Sequence, residues 1–405
     1  IQEAFTSLLI IILTTLLLFC LLFVSFNNEI AFFIFGKAGL EQFALILLAL
    51  LAIRTVLLFS LSYYRSRHRI VLYSFIQGAQ LLGEVVVLFF SIVVYKTGFL
   101  QALEAMVVFN AVVGSATLIS VLLQVGVSWP NFGRLKPYLM FSLPLIPNVS
   151  LQWIVNFSDR YVISHYIDLE SVGIYAASYS LGQFVSFFIT PIAFVLYPTI
   201  SGLWEENKTE EIKYWIINSL KFFLILSIPA VFGIHYFAPF VLAKLASERF
   251  TTHEWLALLV AIGFLFLGIY QVYLYLMHLR KETVKVLIIF TSIAVLNLSL
   301  NFLLIPQIGI DGAALSTLIS FAVQTGLVSF FAFKGFRVKL PLKFIAKSLF
   351  SAGIMFLFLI QFTPDILTKN IILLFSAMLI YFFVMFLTGA ISKAEINRLR
   401  SLIRI

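Results

Sequence analysis

The chain has 405 residues, of which 62% are hydrophobic and only 11% are charged, and its mean hydropathy is +1.07. A soluble domain carries about 25% charged residues, so this composition excludes a water-soluble protein and predicts an integral membrane protein. The formal net charge of +9 is no sign of nucleic-acid binding, because the basic residues lie in short loops between apolar runs. The single cysteine, Cys20, excludes a disulfide framework.

Apolar runs of about 20 residues recur along the whole chain, and each is long enough to cross a ~30 Å hydrocarbon core as a helix. A membrane barrel is excluded, because its strands are ~10 residues long and alternate in polarity. The sequence predicts an all-α, polytopic membrane helix bundle. Its twelve predicted transmembrane helices are Phe5–Phe26, Phe43–Ser62, Ile70–Tyr95, Leu103–Val125, Tyr138–Arg160, Val172–Tyr197, Tyr214–Ile234, Trp255–Met277, Val284–Ile305, Ile310–Phe333, Phe344–Phe362 and Ile371–Thr388.

The distribution of lysine and arginine gives the orientation, because short cytoplasmic loops retain these residues. Most of the 27 basic residues lie in alternate loops, for example around Arg67, Lys281 and Arg337. With twelve spans, this pattern predicts that Ile1 and Ile405 are both cytoplasmic. The segment Phe237–Ala246 is too short to span, and we expect it to lie on the surface or to be re-entrant.

Several predicted helices carry polar residues on one face, at steps of three, four and seven residues. The residues in question are Gln77, Gln80 and Glu84 in the third helix, Asn148, Gln152, Asn156 and Asp159 in the fifth, Tyr175, Tyr179 and Gln183 in the sixth, and Asn297 and Asn301 in the ninth. In hydrocarbon such faces point at other helices or at water, so they predict a shared polar cavity. The alternative, hydrogen bonding between helices, is open for each residue and strongest for isolated amides such as Asn297. The last two helices have few polar residues and should be peripheral.

Two charged residues lie near mid-membrane by their distance from the basic loop at Arg65–Arg69. Arg54 is in the second predicted helix and Glu84 in the third. They could form an ion pair that only holds the two helices together. They could instead form a site in which Arg54 binds an anionic group and Glu84 binds a proton or a cation.

The remaining titratable residues give little sign of catalysis. Asp159 and Arg160 are adjacent at a predicted helix end, where a local surface ion pair is the expectation. The five histidines have no metal-ligand spacing, and glycine-rich phosphate loops and paired catalytic carboxylates are absent. The sequence therefore predicts no metal or cofactor, and it favours a transporter over an enzyme.

Two stretches carry a resemblance to a known family. Phe141–Gln183 has a proline-rich helix start, the Asp159–Arg160 pair and then the sequence Val-Gly-Ile-Tyr leading into the next helix. Leu304–Ser320 follows Asn297 and Asn301 and joins the ninth and tenth helices. Both stretches resemble the polysaccharide (Wzx-type) flippases of the multidrug/oligosaccharidyl-lipid/polysaccharide exporter superfamily.

The resemblance implies fourteen helices, arranged as two pseudo-symmetric six-helix lobes around a central cationic cavity plus two peripheral helices. Twelve helices and a first residue other than methionine lead us to expect that the first two helices of the N-terminal lobe are missing from this sequence. The expected divisions are residues 1–126 for the N-terminal lobe, 127–333 for the C-terminal lobe, and 334–405 for the peripheral pair and tail.

The resemblance also implies a function, namely flipping of undecaprenyl-pyrophosphate-linked oligosaccharides by alternating access in a bacterial or archaeal cytoplasmic membrane. Arg54 would face the pyrophosphate, and Glu84 would couple transport to protons or sodium. The expected partners are lipid-linked oligosaccharide, membrane lipids and polysaccharide assembly proteins, without nucleic acid. A multidrug or peptidoglycan-precursor exporter of the same superfamily is an alternative, and a membrane polysaccharide polymerase or ligase is a more distant one.

Overall fold

The structure is a computed structural model that describes residues 2–37, 39–67, 69–135, 145–247, 253, 255–336, 341–364 and 366–390. Within these ranges all regular secondary structure is helical, which confirms the prediction of an all-α fold. The chain divides into two compact units, Ile1–Ile146 and Pro147–Ile405.

In its described residues, the first unit contains five α-helices. These are α1 Gln2–Ser25, α2 Asn27–Phe35, α3 Glu41–Ser66, α4 Ile70–Phe89, which continues into a π-helical turn, and α5 Phe99–Val125. Helix α3 packs along α5, and Gly114 of α5 lies beside Ile53 of α3. The short helix α2 was not predicted. It ends at Gly36, whose φ of 69° is in the left-handed region that favours glycine.

The described part of the second unit contains nine α-helices. These are α6 Leu145–Tyr166, α7 Leu169–Gln183, α8 Ile189–Glu205, α9 Thr209–Leu245, α10 Leu256–Leu279, α11 Thr283–Ile308, α12 Ile310–Phe336, α13 Leu342–Leu359 and α14 Leu367–Leu387. A 3-10 turn joins α7 to α8, and the two helices together form one segment, Leu169–Glu205, that is long and apolar enough to span a membrane and contains the predicted sixth span Val172–Tyr197.

Helix α10 lies at the core of the second unit and packs against α7, α9 and α12. Glycines permit this close approach. A Cβ at Gly268 would lie 2.1 Å from the ring of Phe223 in α9, and a Cβ at Gly182 of α7 would lie 2.6 Å from Val260. Close packing through small residues is the usual way for helices to associate in a bilayer. Apolar side chains are already surrounded by apolar lipid there, so contact with another helix brings no hydrophobic stabilisation.

Helix α9 contradicts the prediction for Phe237–Ala246. That segment is not a surface or re-entrant piece, because α9 continues without interruption to Leu245 over 37 residues. The buried residues Val231, Ala238 and Leu242 keep to one helical face across the proposed break. The helix is therefore about 55 Å long, well beyond the thickness of a hydrocarbon core.

Eleven helices in the described part of the chain are long and apolar enough to cross a membrane, which makes this a multi-span membrane protein. The fifth predicted span is present as α6, a 22-residue helix, but its polar side chains make it less apolar than the others. The first residues predicted for that span, 138–144, lie outside the described residues. The lobe divisions 1–126, 127–333 and 334–405 remain a prediction.

Candidate functional site

Polar side chains of the first unit meet between α3, α4 and α5, and we call Arg54, Glu84, Gln80 and Asn110 the first cluster. The Arg54 Nη2 atom donates to both carboxylate oxygens of Glu84, at 2.6 and 2.7 Å. Gln80 Nε2 lies 2.9 Å from Glu84 Oε1 and 3.1 Å from Asn110 Oδ1. Asn110 in turn donates to the backbone carbonyl of Met106. The cluster thus ties three helices together at the middle of their lengths.

The two charged members of the first cluster differ in exposure. The Glu84 side chain is 11% exposed, whereas the Arg54 side chain is 43% exposed. The Arg54 Nε atom is buried and has no hydrogen-bond partner in the described part of the protein. The predicted ion pair therefore forms, and the Arg54 side chain stays partly exposed beside it. Gln77 lies near Gln80 on the same helix and is half-buried.

Asp159 and Arg160 form a second cluster with aromatic rings of α6 and α7. Asp159 is only 1% exposed, and it accepts hydrogen bonds from Arg160 at 3.1 Å and from the hydroxyl of Tyr175. The guanidinium carbon of Arg160 lies 4.6 Å from the ring centroid of Tyr179, 5.1 Å from that of Phe157 and 5.4 Å from that of Tyr175. The prediction of a local surface ion pair is wrong, because this pair is enclosed by rings from two helices.

The other predicted residues of α6 and α7 lie nearer the surface of the second unit. Gln152 and Gln183 are exposed, and Asn156 is half-buried. The Asn156 side chain donates to the backbone carbonyl of Gln152, and Arg160 donates to the backbone carbonyl of Asn156. The side chain of Asn148 lies outside the described residues. A cavity lined by these side chains remains a prediction.

A third cluster joins α6, α11 and α12 and contains Ser158, Asn297, Asn301 and Ser320. Asn301 donates to Ser158 at 3.3 Å and to Asn297 at 3.2 Å, and Asn297 donates to Ser320 at 3.2 Å. The two asparagines and Ser320 have no exposed surface. This geometry is that of hydrogen bonding between helices, the alternative that the sequence left open for Asn297.

Sequence reasoning missed Asn110 and Ser158 as members of these clusters. A usable signal existed for Asn110, which is the only amide in the middle of a long apolar helix. Within the described ranges, no group of three or more histidine, cysteine, aspartate or glutamate side chains could hold a metal ion.

The helices and their buried polar clusters define a polytopic helical membrane protein with charged groups held at mid-helix. The family described as "Polysaccharide biosynthesis protein" matches residues 1–256, which is more than half of the chain. The chain belongs to this family. Together with the relatives described next, this match confirms the resemblance to polysaccharide flippases.

Individual relatives agree with the family. A probable low-salt glycan biosynthesis flippase of Haloferax volcanii is 25% identical over 281 residues, which is 68% of this chain and 59% of that protein. A second probable flippase of the same organism is 24% identical over 56% of this chain and 46% of its own length. The chain thus spans about half the length of these relatives.

A solved structure shares the fold. The lipid II flippase MurJ, in an inward closed conformation, matches with a TM-score of 0.78 over 95% of this chain and 83% of MurJ. Sequence identity is 16%, so this likeness shows the fold alone.

Proposed function

We propose that this chain belongs to a flippase that moves an oligosaccharide linked to undecaprenyl pyrophosphate across the cytoplasmic membrane for surface polysaccharide biosynthesis. The observation that carries the proposal is the partly exposed side chain of Arg54 at the middle of α3, whose guanidinium group is held in place by Glu84. Membership of a polysaccharide biosynthesis family and relatives named as flippases support it.

The chemistry of the substrate suits these residues. A guanidinium group recognises phosphate oxygens with paired hydrogen bonds and stays charged in a poorly hydrated site. Exposed amides such as Gln152 and Gln183 can bind sugar hydroxyls. The polyprenyl chain can remain in the bilayer, so only the pyrophosphate and the sugars need a polar path.

The proposed mechanism is alternating access between the lobes 1–126 and 127–333, with 334–405 as a peripheral pair. Both Ile1 and Ile405 would be cytoplasmic, as the loop charges indicate. Protonation or sodium binding at Glu84 would release Arg54 for the pyrophosphate, and this would couple flipping to an ion gradient. Polysaccharide assembly proteins would use the product on the outer face.

The test is flipping of a fluorescent undecaprenyl-pyrophosphate oligosaccharide in proteoliposomes that contain the purified chain. A membrane-impermeant quencher reports the lipid that reaches the other leaflet. We expect flipping by the wild type, and at least tenfold slower flipping by Arg54→Ala at equal protein content. Ser62→Ala, at an exposed position of α3 whose hydroxyl bonds only to its own helix, is the matched control and should match the wild type.

The same assay separates the alternatives. Wild-type proteoliposomes no faster than empty vesicles, or normal flipping by Arg54→Ala, would contradict the proposal. Preference for a lipid-linked peptidoglycan precursor or for export of a cationic drug would favour another exporter. A change in the mass of the glycan would indicate a polymerase or ligase. Imposed proton and sodium gradients test the coupling at Glu84.

A further inference from the structure

A cavity of about 450 Å³ lies in the second unit between α9, the start of α13 and the residues that follow α14. Three lysines line it, Lys221 of α9 and Lys343 and Lys347 of α13, and we call it the lysine pocket. Among its described lining residues there is no acidic side chain. Neither the first cluster nor the second contributes to it.

The lysines approach the pocket from different helices. Lys347 Nζ donates to the backbone carbonyl of Gly389 at 3.2 Å, just beyond the end of α14. Lys221 Nζ lies 5.8 Å from the ring centroid of Phe344 in the first turn of α13. Lys343 is exposed, while the other two lysines are half-buried. Three lysines of two helices therefore line one space, and this concentration of basic residues favours an anionic ligand.

The packing of α9 on α13 explains why Lys221, which the sequence places inside a predicted span, reaches this position. Lys221 contacts Phe344, Phe232 contacts Phe356, and Tyr236 donates to the carbonyl of Phe362. The residue numbers of the contacting residues increase in the same direction on both helices, so the two helices run parallel. Lys221 is consequently level with the first turn of α13 and not with the middle of that helix.

The position of the pocket points to a membrane lipid. It lies where α13 begins and α14 has ended, and the loop charges assign this end to the cytoplasmic side. Leu342, which also lines the pocket, is 66% exposed and offers an apolar border for an acyl chain. Basic pockets between transmembrane helices on the cytoplasmic side typically bind phosphate headgroups.

We propose that the lysine pocket binds the phosphate headgroup of an anionic membrane phospholipid. The ammonium groups of Lys221, Lys343 and Lys347 neutralise the phosphate, and the bound lipid connects α9, α13 and the end of α14. This inference does not rest on the proposed flippase activity, because it concerns a site away from the charged clusters and a lipid that is not transported.

The test uses the purified full chain in detergent, titrated with phosphatidylglycerol or with phosphatidylcholine, and native mass spectrometry to count bound lipids. Each lysine should contribute about fivefold to the affinity for phosphatidylglycerol, so the triple variant K221Q/K343Q/K347Q should bind roughly 100-fold more weakly. The triple variant K208Q/K213Q/K285Q removes the same charge from lysines that pair with carboxylates elsewhere. It should bind like the wild type.

Further variants and competing ligands complete the test. Exchange of the three pocket lysines for arginine should preserve binding, and Lys343→Gln alone, at an exposed position, should cost about fivefold even if the triple variant fails to fold. Equal retention of phosphatidylglycerol by the wild type and by the folded glutamine variants of the pocket would overturn the proposal. Displacement of the lipid by a modest excess of inorganic phosphate, or equal binding of phosphatidylcholine, would overturn the assignment to an anionic lipid.

Discussion

Replacing Glu84 with glutamine should destabilise the first unit by leaving the Arg54 charge without its carboxylate. Glu84 accepts hydrogen bonds from Arg54 at 2.6 and 2.7 Å and from Gln80 at 2.9 Å. Removing one partner of a buried pair costs about 3–5 kcal/mol. Because 43% of the Arg54 side chain is exposed, part of its charge is solvated after the exchange, and we expect a loss of ~2–4 kcal/mol.

The double variant Arg54→Gln/Glu84→Gln separates the unpaired charge from the loss of the pair itself. It contains no unpaired charge, so its free energy of unfolding should return to within ~1 kcal/mol of the wild type. The assay is SDS-induced unfolding of the purified chain in mixed micelles, run on both single variants and the double variant. A Glu84→Gln protein as stable as the wild type would refute this reasoning, and so would a double variant as unstable as the summed single variants.

The same double variant decides between the two interpretations of the pair. If Arg54 only holds α3 against α4, restored folding should restore flipping as well. If Arg54 binds the pyrophosphate, the double variant should be folded and still inactive. A stability measurement and a flipping measurement on one protein therefore distinguish a structural pair from a pair that takes part in transport.

Three further predictions concern the second unit, and SDS-induced unfolding tests each of them. Asp159→Asn should cost ~3 kcal/mol, because it leaves the enclosed Arg160 charge without its carboxylate; an unchanged unfolding midpoint would contradict this. Gly312→Ala should cost ~1–3 kcal/mol, because its Cβ would lie 2.6 Å from the backbone carbonyl oxygen of Leu304, whereas Gly326→Ala in the same helix meets nothing within 4 Å and should be neutral or stabilising. Asn297→Ala should cost ~1–2 kcal/mol through lost hydrogen bonds between helices, and a loss below the measurement error would argue against the third cluster.

The positions of the long helices could be predicted because a run of about 20 apolar residues has few alternatives in a bilayer. The meeting of Arg54 and Glu84 was also predictable, since both lie at the same depth on consecutive helices and an unpaired charge there is costly. Helix α2 could not be predicted, because its nine residues are too few to form a membrane-spanning apolar run.

Two predictions were wrong because the helices continue beyond their predicted ends. The second cluster was misjudged because the predicted helix ended at Arg160, whereas α6 runs on to Tyr166 and makes the pair an interior feature. Its burial comes from Tyr175 and Tyr179, which belong to the next helix. Helix α9 was cut short because Pro239 indicated a break, although prolines are tolerated inside membrane helices.

The length of α9 has a mechanical consequence for the second unit. A single rod of 37 residues packs against α8, α10 and α13, so any tilt of the rod displaces all three neighbours together. The rod is weakest at Pro229 and Pro239, where the backbone lacks a hydrogen-bond donor. Bending would concentrate at these two prolines. The part of α9 before Pro229 would then move together with the start of α13 and the end of α14, which surround the lysine pocket.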